Sequence, residues 1–485
     1  MDRRRFLNLS VMSLTLTACG GSNSDDNPVS AVTSNIADSD WQSFSERLTG
    51  GVILPSDGNQ YDNARLVFNT RFDHIYPEAI VYCKNDSDVI SALSFVQEHN
   101  MSVTPRCGGH GYTGNSTTQG LVIDVTPMSD ITLGEGIVTV GAGARLIDVY
   151  DQLTNQGVAI PLGSCLSVGI AGLTQGGGIG IVDRAYGLTC DNLLSAELIS
   201  ADGNKLICSE SENSDLFWAL RGGGGGNFGV VTSFTFKTHA TTDITVCEVN
   251  YAFEDFEEVM AQWQLITQYW PNEMWAQIIP NWLNGSTPSL YIRAFCLNTK
   301  SEAMPYWQEF INSINATSHA VKVSTDTYRN TMLGTCSNTI AACHISSQFA
   351  DGKMPRSAFA ASSDFFDELV PPIGLKTLKN FIKDSLIKGQ RGMIIFNTMA
   401  GAIDDYAPSD TAFVHRNSLF SAEYYTYLPN SATNSTIDNA QIWENSFRHL
   451  MKPWSSGRAY VNYLDPHIED WQQAYYGNNY ARLAQ

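Results

Sequence analysis

The chain has 485 residues, 43% of them hydrophobic and 16% charged, which is enough apolar mass for two folded domains. Its formal charge of -20 excludes non-specific nucleic-acid binding, because phosphate contacts need a surface rich in Lys and Arg.

Residues 1–19, "MDRRRFLNLSVMSLTLTAC", start basic and run through a short, moderately apolar stretch to small residues before Cys19. This is the pattern of an export signal and is too short to span a bilayer. Arg3, Arg4, Arg5, Phe6 and Leu7 resemble a twin-arginine signal, and residues 16–19 resemble a bacterial lipobox. A lipidated Cys19 is therefore expected to be the only membrane attachment of an exported protein; a signal cleaved without lipidation is the alternative. Residues 20–40 read as a polar tether. Nine cysteines follow Cys19, an odd number, so at least one lacks an intramolecular partner. Cys336 and Cys343, close together in "GTCSNTIAACH", are the expected disulfide in an oxidising compartment.

From residue 75 short strands and helices alternate. "AIVYC" reads as a strand, "DSDVISALSFVQEHN" as a helix with Val89, Ile90, Leu93 and Val96 on one face, and "SVTP" as a strand ending at the glycine run "RCGGHGYTG". "GLVIDV" and "GIVTVGAGA" follow as strands, then a helix over "ARLIDVYDQLTNQG" and the second glycine run, "GIAGLTQGGGIG". "LLSAELISADGNKLICS" reads as two strands about an Asp-Gly turn. A helix over "NSDLFWALR" leads to the third run, "GGGGGNFGVV", and the strand "VVTSFTFK". Three such runs exceed what packing requires, since each glycine costs backbone entropy on folding. They indicate that something approaches the backbone closely, with main-chain N–H groups free to face an anion such as a phosphate. None fits the strand-to-helix dinucleotide fingerprint. Beyond residue 240 glycine thins and aromatic residues rise. Helices over "EDFEEVMAQWQLITQYW" and "AMPYWQEFINSI" and strands over "SLYIRAFCL" and "MIIFNTM" indicate helices on one side of a mainly antiparallel sheet.

Taken together, these segments resemble the flavin-linked oxidases of the berberine bridge enzyme type, in the vanillyl alcohol oxidase (PCMH-type) fold family. "RCGGHGYTG" is similar to the family's R-x-G-G-H segment, "GSCLSVGIAGLTQGGGIG" to its G-x-C-x-x-V-G segment and "RGGGGGNFGVV" to its R-G-G-G-x-G-N-F-G segment; "TAFVHRN" and "AYVNYLD" match further stretches. The resemblance implies an α+β fold with an FAD-binding domain over 41–240, a substrate domain over 241–440 and a C-terminal return over 441–485. It implies FAD attached twice, at His110 through the C8 methyl and at Cys165 through C6. A neutral imidazole and a thiolate are both nucleophiles for an electron-poor ring. Arg106, Cys107, Gly108, Gly109 and Gly111 would flank the cofactor on one side. Val168, Gly169, Gly172, Gly176, Gly177 and Gly178 would do so on a second. Asn227, Gly229 and Val230 would line a third.

The resemblance also places the base that takes a substrate hydroxyl proton on Tyr460 of the Y-x-N segment, with Asn462 beside it. An unperturbed phenol titrates near 10 and needs help in that role. Related carbohydrate oxidases supply a carboxylate there; the matching residue here is Asn397, an amide that can orient but cannot accept the proton. Glu423 is the alternative base, and Tyr112 a substrate-side wall or hydroxyl donor. His415 and Arg416 are expected to join the domains. A small residue three positions after the linking cysteine, here Val168, implies that dioxygen reaches the flavin and that peroxide is formed. Family members usually continue beyond "YYGNNYARL" with a segment that helps close the flavin domain; the sequence given is either naturally short or truncated, and lower stability or poor flavin binding is the expectation for a truncated chain. The substrate is expected to be a small molecule, a sugar lactol or another alcohol. Oxidative C–C or C–N bond formation on an aromatic natural product, or a non-catalytic binding lipoprotein, are the competing readings.

Overall fold

The computed structural model describes residues 36–285, 288–429 and 432–485. The signal, Cys19 and residues 20–35 of the tether lie outside them. The rest of the expected tether is not loose: a helix, Asp38–Glu46, begins inside it. Trp41 and Phe44 bury themselves on Phe95, whose ring stacks on Phe44 at 4.2 Å, and this apolar anchor outweighs the polar composition around it.

Two sheets build the first half. In one, the strands run in the order Val52–Ile53, Ala79–Tyr82, Leu121–Asp124, Val103–Arg106, the last three parallel. The helix Asp86–Glu98 connects two of them; Asn85 caps it by accepting the Asp88 N–H at 3.0 Å, and Val89, Ala92, Leu93, Phe95 and Val96 form its buried side. The second sheet is antiparallel and five-stranded, with Val230–Lys237 at its centre and the Leu193–Ile199/Lys205–Ser209 hairpin at one edge.

A seven-stranded antiparallel sheet forms the second half, from Ile244–Ala252 to Phe420–Leu428. Alternation along its strands separates two faces. Ala276, Ile278, Ile292, Ala294, Ile394, Phe396, Ala422 and Tyr424 pack under the helices Phe256–Thr267, Lys300–Asn312, Pro372–Ile387 and Asn434–Met451. The opposite face carries Trp275, Phe295, Phe359 and Phe365 into apolar clusters shared with the first half. The architecture is α+β. The helix Asn434–Met451, which the expected boundary at residue 440 would cut, packs against Ala358–Phe366 and Phe420–Leu428 of the large sheet.

Three connections lock the halves. Arg184 donates from Nε, Nη1 and Nη2 to the carbonyls of Met274, Met399 and Trp270 at 2.8, 2.6 and 2.9 Å. Arg416 forks onto both Asp191 oxygens at 2.7 Å, and His415, stacked on Phe365 at 4.1 Å, is kept neutral by burial. Segment 328–357, which includes the Cys336–Cys343 disulfide, lies across the first half.

Candidate functional site

The loop after Val103–Arg106 and the loop before the helix Ile170–Gln175 meet backbone to backbone. A Cβ on Gly108 would lie 2.2 Å from the Gly169 nitrogen, and one on Gly169 2.1 Å from Cys107 Sγ, so both positions must be glycine. This contact brings the two expected linking residues together. Ser167 Oγ lies 3.0 Å from His110 Nε2 and 4.0 Å from Cys165 Sγ. Burial, reinforced by the Arg145 cation, pushes His110 down to about 3, so the imidazole is neutral and its lone pair is available. Phe68 stacks on that ring at 4.2 Å. Cys165 is exposed, and Ser167 lies against its thiol. Ser167 was not foreseen, because a serine two residues after a cysteine carries no sequence signal.

Several cofactor-side expectations change. The Arg106 side chain turns into the core, with Nε on Asp124 at 2.6 Å and Nη2 on the Ala64 carbonyl at 2.8 Å, and Cys107 is buried beneath Gly169. A Cβ on Gly111 would meet Asn115 Oδ1 at 2.1 Å, and Gly109 takes a positive φ of 69°. Gly176, Gly177 and Gly178 make room for protein: a Cβ on each would meet Asn462 at 2.1 Å, Phe413 at 2.7 Å and Thr189 at 2.3 Å. Gly229 is pressed against the Ile199 carbonyl, Val230 opens a buried strand, and Asn227 holds its own loop by donating to the Gly223 carbonyl at 2.8 Å. Open wall remains at Gly172, where a Cβ would meet nothing within 4 Å, facing Gly225. Val168, half-buried, donates its N–H to the Cys165 carbonyl at 3.1 Å and so tightens that turn.

The large sheet supplies the other side. Glu423, 6% exposed, faces away from the helices, and Tyr112 donates its hydroxyl to Glu423 Oε1 at 2.8 Å. Tyr463 also donates to this carboxylate and stacks on Tyr112 at 5.2 Å. Burial pushes Glu423 up to about 7, against the pull of the two phenols. On the same face the strand register aligns Ser421, Asn397, Gln277 and Arg293 across four neighbouring strands. Tyr463 was missed because it lies one residue beyond the Y-x-N segment.

The structure pairs Tyr460 with Asn462, as the resemblance implies, and not with Asn397. The Tyr460 oxygen accepts N–H bonds from Gly178 at 2.9 Å, Ile179 at 3.3 Å and Asn462 at 2.9 Å; Asn397 is not among its partners. The phenol is 3% exposed within an apolar cluster, and burial pushes it up to about 12. The three N–H donors favour the ionised phenol, and burial outweighs them. Cys336 and Cys343 form the disulfide, and Cys190 is buried. Among the described residues no helix is long and apolar enough to cross a membrane.

These features suit FAD. A neutral imidazole and an exposed thiol share one serine, side-chain-free walls stand at Gly172 and Gly225, and a carboxyl poised near neutrality lies on the facing sheet. Comparison with known proteins agrees. Residues 77–209 match the FAD binding domain family and residues 459–485 the "Berberine and berberine like" family. An uncharacterized FAD-linked oxidoreductase of Bacillus subtilis, YgaK, is 31% identical over 456 residues, covering 90% of this chain and 93% of that protein. Berberine bridge enzyme-like 3 of Arabidopsis thaliana is 28% identical over 82% of this chain and 76% of its own. Among solved structures, BBE-like 1 of Physcomitrella patens superposes with a TM-score of 0.82 at 25% identity, over 91% of this chain and 94% of its own. The chain belongs to the berberine bridge enzyme-like family of FAD-linked oxidoreductases, with FAD as its cofactor.

Proposed function

We propose that the protein is an oxidase whose FAD is bonded to both His110 and Cys165. It removes a hydride equivalent from a substrate hydroxyl carbon and passes the electrons to dioxygen, giving hydrogen peroxide. The observation that carries this reading is the buried Glu423 carboxyl, held near pH 7 between Tyr112 and Tyr463 on the sheet that faces the His110 and Cys165 loops. When bound, FAD supplies the hydride acceptor. Glu423 takes the hydroxyl proton, Tyr112 and Tyr463 fix its orientation, and the covalent links hold the acceptor still. The row Ser421, Asn397, Gln277 and Arg293 offers hydrogen-bonding groups for a polyhydroxylated substrate, and a sugar lactol is the substrate class we favour. We further propose that dioxygen enters past Val168, and that the exported chain is tethered through lipid at Cys19.

The test is anaerobic reduction of the flavin, with peroxide detection in air, on a panel of reducing sugars that includes glucose and chitooligosaccharides. Bleaching by a sugar, peroxide release, and loss of both in Glu423→Gln are expected. Bleaching by sugar that Glu423→Gln leaves unchanged would contradict the role of Glu423. One observation favours an aromatic substrate instead: Phe359 and Tyr425, stacked at 5.1 Å, stand beside Tyr112. Bleaching by phenolic substrates and not by sugars would support that second reading.

A further inference from the structure

Segment 328–357 belongs to the substrate half by sequence, yet its contacts lie along the His110 side of the cleft. Arg329 bonds Asp151 Oδ1 from Nε at 3.0 Å, and His344 pairs with Asp148 at 3.0 Å; both acids lie on the helix Leu146–Thr154. Arg356 donates to the Val67 carbonyl at 2.7 Å and forks onto Asp73. Ser357 donates its N–H to the Phe68 carbonyl at 3.2 Å, and Phe68 donates its own N–H to the Gly109 carbonyl at 2.9 Å while stacking on His110. The disulfide Cys336–Cys343 closes the segment near its middle.

Gln348 and Arg145 occupy the centre of this contact. Gln348 Nε2 donates to the Gly108 carbonyl at 3.2 Å, and its Oε1 accepts from Arg145 Nη2 at 3.1 Å. Arg145, 2% exposed, also donates to Cys107 Sγ at 3.6 Å, the Gly143 carbonyl at 3.0 Å and Thr126 Oγ1 at 3.2 Å. No carboxylate is within ion-pair distance of it among the described residues; Asp148, which feels its charge, lies against His344, whose imidazole burial pushes down. A buried cation without a carboxylate partner is costly, and here its hydrogen bonds and the Phe349 ring, 5.4 Å from the Arg145 guanidinium, offset part of that cost. Its backbone forms a bridge with Gly169, and the flanking Ala144 and Leu146 bond Ile170 and Val168 of the Cys165 loop. Arg145 therefore touches the loops that carry both linking residues.

We propose that Arg145 and Gln348 form a clamp that sets the spacing of the His110 and Cys165 loops, so that the flavin can be bonded at both. The clamp is completed only when the substrate half closes onto the FAD-binding half. Arg145 and Gln348 are positioning residues, acting through His110 and Cys165. The inference rests on double attachment as proposed above. In each attachment a protein N–H or S–H and a flavin C–H are replaced by one new bond. The two hydrogens and two electrons stay on the ring as reduced flavin, or one proton leaves and the other stays, until dioxygen takes two electrons and two protons to give hydrogen peroxide.

The full chain is produced with limiting riboflavin and then supplied with FAD in air. Bound and covalently held FAD are followed by absorbance and intact mass, for wild type, Gln348→Leu, Arg145→Met and Arg145→Lys. Wild type is expected to become doubly linked. Gln348→Leu and Arg145→Met are expected to bind FAD and complete the second link roughly 10- to 100-fold more slowly, the cost of a small misplacement, with the melting temperature of the FAD-free protein reporting separately how far each variant loses stability. Arg145→Lys, which restores the cation, is expected to recover most of the rate. Attachment at the wild-type rate in Gln348→Leu overturns the clamp alone, and that variant decides if Arg145→Met fails to fold. Equal rates for Arg145→Lys and Arg145→Met overturn the role of the charge. A wild type that binds FAD and never bonds it overturns the double-attachment reading together with the clamp.

Discussion

Glu423 is where chemistry and stability pull in opposite directions. Its carboxyl rises from an ordinary 4.5 to about 7 because it is buried, so only above that pH is it a ready proton acceptor. Flavin reduction is expected to rise through about pH 7 to a plateau, and Glu423→Gln to lower the plateau by roughly 10²- to 10⁴-fold, read by stopped-flow. The linkage has a definite sign. Between 4.5 and 7 the folded state holds a proton that the unfolded state has lost, so stability falls as pH rises across that window. Glu423→Gln is therefore expected to be more stable than wild type above pH 7, by up to about 3 kcal/mol, with the gain vanishing below 4.5; urea denaturation at pH 8 and pH 4 checks it. Tyr460→Phe leaves the Gly178, Ile179 and Asn462 N–H groups without their acceptor and is expected to cost about 1 to 3 kcal/mol in urea denaturation, while flavin reduction by substrate persists if Glu423 is the base. His110 and Cys165 were legible in the sequence because they sit in the segments "RCGGHGYTG" and "GSCLSVG", which resemble the family's linking motifs. Ser167 and Tyr463 were not, because only folding brings a serine against a histidine 57 residues away, or a tyrosine against a carboxylate on another strand.

At the scale of elements, local pattern carried most of the fold. The capped helix Asp86–Glu98 and the hairpin at Leu193–Ile199 follow from helical spacing and an Asp-Gly turn. Ala358–Phe366 is buried at every position, so it shows no alternation by which its two faces could be told apart. The turn after Met393–Thr398 holds a non-glycine strain: Ala400 adopts φ 69° and ψ -159°, a region essentially reserved for glycine. Ala400→Gly is expected to stabilise the protein by about 1 kcal/mol, seen as a higher urea midpoint at unchanged slope. Trp263, fully buried beneath the sheet, marks the opposite extreme; Trp263→Ala is expected to cost about 3 to 5 kcal/mol in the same titration.

The whole molecule works as two halves closed on a cleft, and buried arginines do much of the closing. Arg416 and Asp191 are both nearly unexposed, so Arg416→Ala is expected to cost about 3 to 5 kcal/mol by leaving Asp191 charged and alone. This loss should appear in equilibrium denaturation as a lower midpoint. The division near residue 240 is visible in sequence as a change in glycine and aromatic content. The crossing of segment 328–357 back over the His110 loop is not, since its anchors are single polar residues without a pattern. The most direct measurement of the central claim is the intact mass and visible spectrum of the acid-denatured protein, for wild type, His110→Ala, Cys165→Ala and the double variant. FAD that stays bonded in wild type and in each single variant, and is released from the double variant, is the expected result. FAD released from wild type on denaturation, or still bonded in the double variant, would contradict it.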